Sequence, residues 1–173
     1  MHRPASYATR AQHAVKQLAE ATNETSGYYE RAGDEAEAMR AESAKHPLVY
    51  SLTTGDKAPL YCISAGKVLL AHLEPDEIHD YLTRTNTKKF TANTLNTARE
   101  ILKELKKVRE TGFGYSYEEY FLGIIGIATA VRINGKVVGA LSVALPTVRH
   151  NSEMDGRIRR ALVQAATEIE RNS

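Results

Sequence analysis

One cysteine, Cys62, is all that the 173-residue chain offers for cross-linking. No internal disulfide can form, and packing alone must hold the fold, as expected in a reducing compartment. No apolar run approaches the ~20 residues that cross a bilayer. The opening MHRPASYATR also lacks the apolar centre of a secretory signal, so a cytoplasmic protein without membrane contact is expected. An excess of one charge is missing too: the net charge is +2, too small for the basic stripe of a dedicated nucleic-acid binder. The cluster KELKKVR is interleaved with Glu100, Glu104 and Glu110, the pattern of a solvated helix face. His72 and His79 straddle Pro75 and do not share the helical face of a zinc motif, so neither metal nor cofactor is expected. What remains, with 42% hydrophobic and 25% charged residues and no low-complexity tract, is one globular domain long enough to bury a core.

Periodicity gives the element order. Ala11, Ala14, Val15, Leu18 and Ala19 share one face of a helix over residues 8–22. TSGYYER and EAEAMRAES flank AGDE and read as a hairpin, and HPLVYSLTTG reads as a third strand ending at Gly55. Two short helices follow, one opening at Ser64 and one at Pro75. LNTAREILKELKKVRETG forms a longer helix that Gly112 stops, with Leu102, Leu105 and Val108 on one face and Glu100–Lys103 and Glu104–Lys107 paired. Residues 113–145 are strand-rich, with Asn134-Gly135 as a two-residue hairpin turn that sets Val131 opposite Val138, Thr129 opposite Ala140 and Ile127 opposite Ser142. That register puts Thr129, Ser142 and Ala144 on one face. Ile158, Ala161, Leu162, Ala165, Ala166 and Ile169 close the chain as a packing helix. The sum is an α+β layered domain with a mainly antiparallel sheet flanked by helices.

Two places invite a ligand. In YCISAGKVLL, Ser64 suits an N-cap, and Lys67 stands where a capping box needs Glu or Gln. The amides at that helix start are therefore free, and Ala65 and Gly66 admit close approach of a carboxylate or phosphate. The alternative is an ordinary helix with Gly66 packed on the sheet. SAGKV is not a P-loop, because Tyr61 and Val68 replace the required Gly and Ser/Thr. Ala140, Ser142 and Ala144 leave room above the last strand for either a helix or a ligand. Cys62 between Tyr61 and Ile63 reads as a buried thiol rather than a nucleophile. Glu118 and Glu119 are adjacent, so in a strand they cannot work as a carboxylate pair.

GDKAPLYCISAGKVLLAHL, VRETGFGYSYEEYFLGIIGIATAV and GKVVGALSVALPTVR occur in an order and spacing that resemble the effector-binding domain of IclR-type bacterial transcriptional regulators, over nearly the whole chain from about residue 10. The resemblance implies a GAF-like or profilin-like sheet flanked by helices, with residues 1–22 as a linker helix and 23–173 as the ligand-sensing domain. It also implies an N-terminal winged helix-turn-helix, which this chain lacks and through which alone DNA would be contacted, and assembly as a homodimer or tetramer. Carried over residue by residue, the pocket would use Ser64, Ala65, Gly66, Ser116, Gly126, Ser142 and Ala144, with Tyr50 and Ala58 as apolar wall. Many members have His at Tyr61, Asp at Ser116, Cys at Gly126 and Ser at Ala144. The departures imply a larger, less polar pocket, taking a small organic acid with a ring or chain on its carboxylate. The family places Gly126 and Ser142 in one pocket although the two-residue turn puts them on opposite faces; a bulge would reconcile the two. The expected function is effector sensing without catalysis. The alternatives are a Cys62-dependent enzyme and a GAF-type dimerisation module that binds nothing.

Overall fold

A computed structural model describes residues 6–171. The elements run α1 (Ala8–Thr22), β1 (Thr25–Ala32), β2 (Glu35–Glu42), β3 (Lys57–Pro59), α2 (Ser64–Ala71), α3 (Pro75–Arg84), α4 (Ala98–Thr111), β4 (Phe113–Tyr117), β5 (Ile124–Ile133), β6 (Lys136–Pro146), a 3-10 turn (Thr147–Arg149) and α5 (Ser152–Arg171). The strands form one antiparallel six-stranded sheet in the order β3-β2-β1-β6-β5-β4, flanked by helices as expected. Among the described residues no helix is long and apolar enough to cross a membrane.

Alternation along the central strands separates the two layers. Ile125, Ile127, Val131, Leu141, Val143 and Leu145 face α1 and α5, where they meet Val15, Leu18, Ile158, Leu162 and Ile169. The residues between them, Gly126, Ala128, Ala130, Ala140, Ser142 and Ala144, are small and pair across β5 and β6 on the opposite face. Ala128, Ala130 and Ala140 pack there beneath α2. The short side chains let α2 approach closely: a Cβ on Gly114 would lie 2.8 Å from the Ser64 carbonyl oxygen. Large residues on one face and tiny ones on the other thus set which layer is thick and which leaves space.

Five expectations need correction. The β5–β6 hairpin turns at Asn134-Gly135, but its register slips between Val131 and Arg132, so Val131 opposes Gly139, Thr129 opposes Leu141 and Ile127 opposes Val143. The extra residue is a β-bulge, and it moves Thr129 off the face carrying Ser142 while placing Gly126 on it. Residues 46–55 form no strand; the only ladder nearby is β3, because the backbone here is taken by side chains, Thr25 Oγ1 donating to the Tyr50 carbonyl at 2.7 Å and Arg149 to that of Leu48 at 2.9 Å. Ser64 is the first helical residue rather than the cap, Ile63 being the residue before α2. In α4, Ile101 joins Leu105 and Val108 in the core while Leu102 is exposed. Glu100 completes a capping box with Thr97 instead of pairing with Lys103, whereas Lys107 and Glu104 meet at 3.8 Å. Gly112 ends α4 in the left-handed conformation, φ 84°.

Candidate functional site

Helix α2 covers Ala128 and Ala140 but not the far end of the small-residue face, where a cavity of about 430 Å³ remains. Its floor is Gly126, Ser142 and Ala144, and its walls are Ile63 and Ser64 at the start of α2, Ser116 on β4, Tyr29 on β1, the segment carrying Tyr50, Leu52 and Ala58, the loop carrying Tyr120 and Phe121, and Ile124 at the start of β5. Of the residues singled out in the sequence, Tyr50, Ala58, Ser64, Ser116, Gly126, Ser142 and Ala144 therefore stand together. Ala65 and Gly66 do not line the cavity: the Ala65 side chain is in the core, and a Cβ on Gly66 would sit 2.5 Å from the Leu60 carbonyl oxygen. Only glycine allows that close crossing, and these two residues can offer a guest no more than backbone amides.

The first intrahelical bond of α2 runs from the Lys67 amide to the Ile63 carbonyl at 2.9 Å, and no side chain caps the helix. The amides of Ser64, Ala65 and Gly66 thus have no partner among the described residues, at the positive end of the helix dipole. Ser64 and Ser142 are buried residues whose hydroxyls also have no partner there. Ser64 Oγ lies 2.7 Å from where a Cβ on Gly126 would stand, so glycine at 126 is what makes room for that hydroxyl. Ser116 Oγ is already engaged, donating to the Cys62 carbonyl at 2.8 Å.

Two ionic clamps hold the walls. Lys67 is 1% exposed; its Nζ lies 2.8 and 3.0 Å from the two Glu119 carboxylate oxygens, donates to the Tyr115 carbonyl at 2.8 Å, and has Glu104 at 3.6 Å. Glu119 also accepts from the Tyr117 amide at 3.1 Å, and Thr94 Oγ1 donates to its carbonyl at 2.7 Å. Glu118, with φ 56°, accepts from the Gly123 amide at 2.7 Å and so closes the loop that presents Tyr120 and Phe121. The Gly-Lys and Glu-Glu motifs are therefore scaffolding of the cavity rather than its lining. The second clamp is bidentate: Arg149 Nε and Nη2 donate to the 1%-exposed Glu24 at 2.8 and 2.7 Å, and the same guanidinium holds Leu48 of the Tyr50 segment. Asn23 Oδ1 accepts from the Lys45 amide at 3.2 Å. The junction of α1 and β1 is thus tied to a cavity wall.

Cys62 is fully buried, and burial, with Glu119 nearby, pushes its thiol up to about 12. Such a thiol supplies no thiolate near neutral pH. Tyr61 lies off the cavity and donates to the Lys88 carbonyl at 2.6 Å, so its departure from the family pattern leaves the cavity's polarity unchanged. His72 Nδ1 donates to the Val68 carbonyl at 2.8 Å. No cluster of three metal-ligating side chains occurs among the described residues. Sequence reasoning missed Tyr29, Leu52, Tyr120 and Phe121. For Tyr29 a signal existed: adjacent Tyr28 and Tyr29 in a strand must face opposite layers.

Residues 5–171 match the family described as bacterial transcriptional regulator IclR C-terminal. The HTH-type transcriptional repressor AllR of Escherichia coli is 31% identical over 136 residues, which is 78% of this chain and 50% of AllR. The Pca operon regulatory protein of Acinetobacter baylyi is 32% identical over 105 residues, 60% of this chain and 38% of that protein. The chain spans half or less of these curated relatives. The crystal structure of the C-terminal domain of E. coli KdgR superposes with a TM-score of 0.86 at 28% identity, covering 95% of this chain and 96% of that one. The sheet with its two helical layers and the match over almost every residue lead to one conclusion: the chain belongs to the IclR family of bacterial transcriptional regulators and corresponds to their C-terminal domain.

Proposed function

We propose that this domain senses a small organic acid, whose carboxylate docks on the free amides of α2 between Ser64 and Ser142. The observation that carries the reading is the coincidence, on one 430 Å³ cavity, of the uncapped start of α2 at Ser64 with the Ser64 and Ser142 hydroxyls, which have no protein partner among the described residues. Unpaired donors at the positive end of a helix favour an anion. The other walls, Tyr29, Tyr50, Leu52, Phe121 and Ile124, suit a ring or chain behind that carboxylate.

Relatives such as the HTH-type repressor AllR are about twice the matched length. DNA binding would accordingly be executed by a helix-turn-helix segment outside these 173 residues, with α1 as the connection. Occupancy shifts the regulator between states only to the extent that the acid binds one of them more tightly, and the ties from the α1–β1 junction to residues 45–50 provide a contact through which such a difference can act.

A thermal-shift screen of monocarboxylates tests the reading. A ligand at a hundredfold excess over its Kd stabilises by ~2.7 kcal/mol, which raises Tm by roughly 5–10 °C for a domain of this size. Ser64→Arg fills the helix end and abolishes the shift. Absence of any shift, or a shift that survives Ser64→Arg, refutes the assignment.

A further inference from the structure

The cavity holds one more unused polar group. Tyr29 is 6% exposed and lines the cavity, yet its hydroxyl has no hydrogen-bond partner among the described residues. The neighbouring buried phenol, Tyr28, does have one: it donates to Glu30 at 2.9 Å. The Tyr29 hydroxyl is not fully enclosed, so on a residue that lines the cavity it is left for water or a guest to meet. Its position is set by Gly27, whose missing Cβ would lie 3.2 Å from Tyr29 Cε1; the ring therefore leans along β1 over Gly27, opposite Ser142 of β6. Ser64 Oγ stands over Gly126 of β5, two strands away in the order β1-β6-β5. Two strand spacings amount to about 10 Å, so the phenol and the carboxylate dock are at opposite sides of the floor.

Resting on the carboxylate reading above, we infer that Tyr29 is a specificity-determining residue whose hydroxyl binds an uncharged oxygen at the far end of the ligand. The ligand class is thus a monocarboxylic acid carrying a hydroxyl or oxo group about one ring's length away. A second carboxylate does not suit that end. Burial, with Tyr50 and Asp56 nearby, keeps the Tyr29 phenol protonated, and on the same wall Asp56 stands beside Lys57, so the two opposite charges leave no net positive charge there to hold a second carboxylate. A phenol can donate to a carbonyl or accept from an alcohol, which is why both oxygen types qualify.

The test is calorimetric titration of the protein with benzoate, 4-(hydroxymethyl)benzoate and terephthalate, repeated on Tyr29→Phe and on Ser64→Arg. The alcohol-bearing probe is expected to bind about fivefold more tightly than benzoate, as one neutral hydrogen bond provides, and terephthalate more weakly than either. Tyr29→Phe keeps the ring and should bring the two monocarboxylates within about twofold of each other. Equal binding of benzoate and its hydroxymethyl derivative by the unaltered protein, an advantage that persists in Tyr29→Phe, or tightest binding by terephthalate overturns the role of Tyr29 while leaving the carboxylate dock intact. Binding of none of the three, or binding unaffected by Ser64→Arg, overturns both.

Discussion

Removing either member of the Lys67–Glu119 pair should damage the domain far more than removing both. Lys67→Met leaves the Glu119 carboxylate, almost wholly buried, with only the Tyr117 amide at 3.1 Å to replace water. Glu119→Leu leaves a buried ammonium whose next acid, Glu104, is 3.6 Å away and partly exposed. An uncompensated buried charge costs about 3–5 kcal/mol; Lys67→Met belongs at the upper end of that range, and Glu119→Leu at the lower end because Glu104 gives partial relief. At roughly 2–4 °C per kcal/mol for this size, the single variants should melt about 6–20 °C lower. The double variant exchanges a charged pair for apolar volume and should lie within about 2 kcal/mol of the unaltered protein, a coupling of several kcal/mol. Urea unfolding of the four proteins measures it directly. If the two single losses simply add in the double variant, the pair is not the electrostatic unit its geometry describes. The loop bearing Tyr120 and Phe121 hangs from Glu119, so both single variants should also bind organic acids more weakly.

Other outcomes follow from the same packing. Gly126→Val pushes a side chain onto Ser64 Oγ, 2.7 Å from the new Cβ, and should lower affinity for benzoate at least about tenfold in a titration while shifting Tm by only a few degrees. Arg149→Met strands Glu24 and frees Leu48, and should cost about 3–5 kcal/mol in urea unfolding; Arg149→Lys should recover only part, because an ammonium cannot reproduce the bidentate grip. On the alkaline side, Cys62 has a folded value of about 12 against an ordinary value of 9.0, and Tyr50 and Tyr61 are raised from 10.0 to about 12, all chiefly by burial. Their folded pKa values lie above the unfolded ones, so the folded state binds more protons. Stability is retained in full below about pH 9 and lost as pH climbs toward 12; a Tm that stays level from pH 8 to 11 would contradict the burial of these groups.

Most elements were legible because they are local. The Ala11-to-Leu18 stripe, Pro75, Gly112 and Asn134-Gly135 each act through neighbours within one or two turns, and α1, α3, α4 and the last hairpin appear where those residues put them. The misreadings arise from distant partners. LVYSL has the composition of a strand, but its carbonyls are captured by Thr25 and Arg149, residues far away along the chain. Thr97 and Glu100 held a capping-box signal, and a helix face read from Leu102 hid the better choice of Ile101. Lys67 looks solvent-seeking beside small residues, and its burial depends on an acid 52 positions later. The cavity follows the same division: its small floor residues stand out in the sequence, whereas its aromatic walls come from loops whose placement only the clamps decide.

The bulge beside Val131 makes the hairpin tip sensitive to odd and even changes in length. Side chains alternate along β5 and β6, so losing one residue between Val131 and Gly139 would exchange the rows, presenting Ile125 and Ile127 to the guest and burying Gly126 against α5. Losing two would restore the alternation. Length variants at this turn should therefore fall into two groups by parity, those that keep an open chamber and those that fill it with isoleucine, even though the turn itself never touches the chamber.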